Sequence, residues 1–179
     1  MNIKHIALAM LVFTIALSGC KKLEEALDVK FESTFQTDLN VDVPEGSKSI
    51  NGSFNESATI DPGAVDDNME QYLNLIKEIN ILELSGLVIS TSKDVNVSNL
   101  IITVASASKS AQWTFANIAV TQGATIALDN TGGQWDTIDN ILTDLEVFTV
   151  TASGTTDEDD VQFTIQVTIR AEITANPLN

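Results

Sequence analysis

The chain has 179 residues, nine Lys and Arg against 25 Asp and Glu, a single histidine and a single cysteine, and 44% apolar residues. A polyanion of this kind repels nucleic acid and gains nothing from acidic lipid headgroups, while its apolar content is ample for one core. With one imidazole and one thiol, His- and Cys-dependent catalysis and zinc sites have almost nothing to draw on.

The chain opens with Met1 to His5, a short stretch carrying Lys4, followed by the uncharged run Ile6 to Leu17 and the small pair Ser18-Gly19. Twelve residues at ~1.5 Å each reach about 18 Å, short of a ~30 Å hydrocarbon core, so this order predicts a cleaved secretory signal peptide. The stretch Leu17-Ser18-Gly19-Cys20 resembles the lipobox of bacterial lipoproteins. That resemblance implies that Cys20 carries a diacylglyceryl thioether and becomes the first residue of the mature chain. Two or three acyl chains there hold a protein on a bilayer, whereas one is marginal. Lys21-Lys22 in place of an aspartate after the cysteine implies an outer-membrane address, on a face that the residues leave open.

Cleavage removes His5 and lipidation consumes Cys20, so the mature chain has neither imidazole nor free thiol. Triads, Cys-His dyads and disulfides are excluded by composition. Removing Lys4 leaves eight cationic side chains against 25 acids, a net charge of about −17. No cofactor is expected. The boundaries are residues 1–19 for the signal peptide, 20–28 for a lipidated tether and 29–176 for a single domain.

Within the domain the period is two. Val29 to Val43 places Val29, Phe31, Phe35, Leu39, Val41 and Val43 on one face and charged or amide side chains on the other. Fifteen residues at ~3.3 Å make about 50 Å, long enough to predict a bend or bulge near Ser33 to Thr37. A turn at Pro44 leads to a partner strand with Phe54, Ala58 and Ile60 inward. Asp61-Pro62-Gly63 ends it, and Asp67-x-x-Glu70 has capping-box spacing ahead of Met69, Leu73 and Ile76, predicting a helix over Asn68–Glu78.

Strands are then expected in residues 80–91, 99–106, 111–121 and 124–129. The loop with Gly132-Gly133 precedes a second helix, with Ile138, Ile141, Leu142 and Leu145 at i, i+3, i+4 and i+7. Residues 146–153 and 161–175 supply the last strands, joined by an acidic turn. An ungapped offset of 66 superposes 74–84 on 140–150, which suggests a repeated helix-to-strand unit. The expected fold is mainly β: an antiparallel sandwich of about seven to nine strands capped by two short helices.

Two places are candidate sites. Trp135, behind the glycine pair, is a candidate platform for a sugar ring, or else a staple holding the second helix to the sheet. Asp157, Glu158, Asp159 and Asp160 crowd four carboxylates into one turn and form a candidate Ca²⁺ site, although their spacing departs from an EF-hand loop. The function expected is a non-catalytic binding or accessory module of the cell envelope, membrane-held through Cys20, with a glycan or an envelope protein as partner. The alternatives are a carrier for an apolar molecule, with strands 29–43 and 161–173 lining a cleft, and a carboxylate-only glycoside hydrolase.

Overall fold

The computed structural model describes residues 27–46, 52–64 and 67–177, so the signal peptide and Cys20 lie outside the described residues. Among these residues there are eight strands: β1 Val29–Val43, β2 Ser53–Ile60, β3 Ile76–Thr91, β4 Val95–Ala105, β5 Ser110–Val120, β6 Thr125–Ala127, β7 Phe148–Thr156 and β8 Val161–Ala175. They form two four-stranded sheets, ordered β1-β8-β3-β6 and β2-β7-β4-β5, every pairing antiparallel. Apart from the β4-β5 hairpin, successive strands alternate between the sheets, the order of an eight-stranded jelly roll, a form of sandwich.

Alternation in the strands builds the core. Phe35, Leu39 and Val43 of β1 and Phe163, Ile165, Val167 and Ile169 of β8 are 0–2% exposed and face the other sheet, while their odd-numbered neighbours' partners on the even positions meet water. Phe163 meets Phe54 of β2 edge-to-face with centroids 5.4 Å apart, a contact from one sheet to the other. The strands expected to line an apolar cleft are neighbours in one sheet, and their inward apolar side chains from Phe35 to Val43 and Val161 to Ile173 are buried in the core between the sheets.

The first predicted helix is corrected. Only one turn, α1 Asp67–Glu70, is helical, and β3 begins at Ile76 inside the span assigned to the helix. Residues 76–79 pair with 173–175 of β8, whose backbone groups would otherwise lack a partner on that side. The β-branched Ile76, Ile79 and Ile81 suit that pairing better than a helix. The suggested repeat fails for the same reason, since residues 76–79 are strand whereas 142–143 end a helix. The expected bulge in β1 is also absent, its register on β8 running unbroken from Val29 to Val43. The irregularities lie in β3, which slips against β8 between Ile76 and Glu78, Ile81 and Glu83, and Val88 and Ser90.

The second predicted helix forms as α2, Gln134–Thr143, with Ile138, Ile141 and Leu142 buried. It packs on β3 and β5 and so spans the two sheets along their open side. Its Asp139 accepts the N–H of Ile81 at 2.8 Å, giving a partner to a donor on the β3 edge that the three-residue β6 does not reach. Burial raises the pKa of Asp139, and that hydrogen bond opposes the rise.

The connection from α2 to β7 is fixed by Lys109, which reaches Asp144 at 2.7 Å and Glu146 at 2.8 Å. Hydrogen bonds from Lys109 and from Ser106 and Ser108 pull the Glu146 carboxyl from 4.5 down to about 2. A depressed carboxylate stabilises the fold fully above its unfolded pKa and loses that contribution as pH falls through its folded one. Glu146→Gln is therefore expected to be less stable than the parent at pH 6 and to converge with it between about pH 4.5 and pH 2. Thermal melts of both proteins across that range check this; parallel curves would contradict it.

Candidate functional site

Trp135 opens α2, and its placement follows from the loop before it. Gly133 adopts φ 77°, a left-handed conformation that glycine takes without a Cβ clash. Asn130 Oδ1 accepts the N–H of Trp135 at 2.9 Å, so a side chain from outside the helix satisfies one of its free donors. The indole Nε1–H then donates to the carbonyl of Leu128 at 2.8 Å. Trp113, on β5 and 5% exposed, donates its own Nε1–H to the next carbonyl, Asp129, at 2.7 Å. Two indoles thus hold successive carbonyls of the segment leaving β6. The staple and the platform readings of Trp135 are compatible, because the bond that fixes the ring leaves part of it exposed.

Beside that half-buried ring lies an open groove of about 400 Å³. Trp135 and Ala127 supply its exposed apolar surface, Leu84, Ile126 and Leu128 being buried in the core beneath it, and Glu83, Ser85, Thr125 and Asp129 form the polar part. Glu83 ion-pairs with Arg170 at 3.3 Å. The Asp129 carboxylate accepts from the Thr131 hydroxyl at 3.0 Å. A rigid aromatic and an apolar lining with carboxylates and hydroxyls around them can stack on the C–H face of a pyranose while bonding its hydroxyls.

The bulges of β3 position this groove and two others. A bulge leaves one residue unpaired and bends its strand. The Trp135 groove takes in Glu83, at the slip after Ile81. A trough of about 300 Å³ takes in Ser90, at the slip after Val88, together with Asn40, Asp42, Gln162 and Thr164. A third recess, between β3 and α2, takes in Lys77 and Glu78 at the first slip.

Three of the four clustered acids take separate partners. Asp157 accepts both the backbone and side-chain N–H groups of Asn96 at 2.8 Å, bonds that lower its pKa. Glu158 pairs with Lys93 at 2.9 Å, and Asp159 accepts the N–H of Gly46 at 2.7 Å. They tie the β7-β8 connection to the chain leaving β1 and to the β3-β4 connection, all of which cross from one sheet to the other at one end of the sandwich. Among the described residues no three His, Cys, Asp or Glu side chains are grouped to hold a metal. Among them, too, no helix is long and apolar enough to cross a membrane.

No protein-family model and no curated protein matches the chain. Solved structures similar to it include a decameric BFDV capsid protein, at 11% identity and a TM-score of 0.41, covering 82% of this chain and 99% of that one. Another is the family 11 carbohydrate-binding module from Clostridium thermocellum in complex with a β-1,3-1,4-mixed-linked tetrasaccharide, at 10% identity and a TM-score of 0.28, covering 80% and 88%. At these values neither says what this chain binds.

Proposed function

We propose that the chain is a lipid-anchored, non-catalytic module of a bacterial outer membrane that binds glycan beside Trp135. The observation that supports it is the groove itself: a half-buried ring fixed by its own hydrogen bond, beside the exposed Ala127, with two carboxylates and two hydroxyl residues within the same 400 Å³. That volume falls in the range of about 300–1,000 Å³ usual for small-molecule sites. Glycoside hydrolysis without histidine needs a carboxylic acid kept protonated opposite a second carboxylate. Glu83 is instead exposed and charge-paired with Arg170, and Asp129 is bound to its own loop. These two carboxylates support binding over turnover at this groove.

The test is calorimetric titration of the parent, Trp135→Ala and Glu83→Gln with a panel of neutral oligosaccharides, with reducing ends assayed afterwards. Loss of the stacking face is expected to weaken binding by about tenfold or more. Glu83→Gln, an exposed change, keeps the fold and is expected to weaken binding less. A panel without a binder, binding indifferent to Trp135, or release of new reducing ends would each overturn the proposal.

A further inference from the structure

We infer that the ligand is an unbranched, uncharged polysaccharide lying across the outer face of the β1-β8-β3-β6 sheet, with the Trp135 groove and the Ser90 trough as two ends of one site. This inference rests on the proposed glycan binding and extends it from one pocket to a polymer track. The two recesses share a face. Strand register puts Thr125 of the Trp135 groove beside Leu87, which stands opposite Gln166, itself opposite Asp38. One step along β8, Thr164 stands between Asn40 and Ser90, in the trough. Three strand spacings of ~4.8 Å and about five residues at ~3.3 Å separate the two ends by roughly 20 Å. That distance calls for several sugar rings in a row.

The chemistry of the track selects the polymer. Across the track run the half-buried Leu87 and Gln166 and the exposed Asp38, with amides, hydroxyls and carboxylates set in ordered pairs, Thr164 donating to Asn40 at 3.0 Å in the trough and Gln166 to Asp38 at 3.0 Å. Every Lys and Arg among the described residues is engaged with a carboxylate. No free cation remains among them to receive a uronate, sulfate or phosphate. Asp38, Asp42 and Glu83 on the same face repel anionic chains, so an uncharged, hydroxyl-rich polymer is the occupant that fits.

The experiment uses unbranched glucose, mannose, xylose and galactose oligomers of two to six rings, with a polyuronate as the charged comparison. The parent is expected to bind six rings about tenfold or more tighter than two, the equivalent of roughly two added hydrogen bonds. The variant Asn40→Ala/Gln162→Ala changes two exposed positions some 20 Å from the indole by the same spacing. It is expected to keep the parent's affinity for two rings and to lose the gain with length. A gain that survives in the variant, no gain in the parent, or tighter binding of the polyuronate overturns the inference while leaving the Trp135 groove as a small-sugar site. Failure of every oligomer to bind at Trp135 overturns the proposed function as well.

Discussion

Phe163→Ala is expected to lower the unfolding free energy by about 3–5 kcal/mol, the usual cost of emptying a buried phenylalanine site. The residue is 2% exposed and its ring meets Phe54 edge-to-face, so the substitution removes apolar burial and an aromatic pair in one step. Phe54 and Phe163 belong to different sheets, and β8 is a central strand flanked by β1 and β3 along its length. Relaxing to fill the space would require one sheet to move toward the other, against pairings on both sides. Urea unfolding checks this as a fall in midpoint at unchanged slope. A loss under about 1 kcal/mol would mean the two sheets are not closed on each other there.

Cys20→Ser is expected to move the protein from the membrane pellet to the soluble fraction of its native host. On the proposed reading, two or three acyl chains at ~0.8 kcal/mol per buried CH₂ would hold essentially all copies on the bilayer, and the substitution would remove them. The described end of the tether is fixed to the domain: Asp28 pairs with Lys77 at 3.1 Å and accepts from Asn176 at 2.9 Å. Eight residue steps separate Cys20 from Asp28 and span at most about 28 Å, so a lipid on Cys20 would hold the β1 start near the membrane. The acidic tip at 157–160 follows β7 at the opposite end of the long β1–β8 pairing, about 50 Å away and far from an anionic leaflet. Parent protein recovered in the soluble fraction, or the variant still in the pellet, would contradict the anchor.

Much of this fold is written in the period of the sequence. β8 is legible from Val161 to Ala175 because eight apolar residues alternate without interruption, and β1 from Val29 to Val43 by the same period, broken only by Ser33 and Thr37. α2 is legible from its i, i+3, i+4 pattern. The 68–78 segment is not, because Met69, Leu73 and Ile76 fit a helix locally while the demand for strand there comes from β8, almost a hundred residues away. Nor do local patterns reveal which strands pair, and hence the jelly-roll order.

The candidate site was half visible. Trp135 stands out as an aromatic behind a glycine pair, and the structure places it on a groove. Its companions Glu83, Ser85, Thr125 and Asp129 carry no signal of their own, since they come together only through the β3–β6 pairing and the bulge after Ile81. A trace of that bulge does exist in the apolar doublet Ile81-Leu82, where strict alternation slips, and another in Leu87-Val88-Ile89 ahead of Ser90. The acids at 157–160 stand out in sequence by adjacency alone, whereas three of them, Asp157, Glu158 and Asp159, are engaged by Asn96, Lys93 and Gly46 from segments far along the chain.

The most direct test of glycan contact at Trp135 is the ¹H–¹⁵N correlation spectrum of the intact domain, where the two indole N–H groups give separate signals, assigned with Trp135→Phe. Titration with a neutral hexasaccharide is predicted to shift the Trp135 signal along a saturable curve while the Trp113 signal, from a buried ring bonded to Asp129, moves little. A saturating ligand that leaves the Trp135 signal in place would contradict the account.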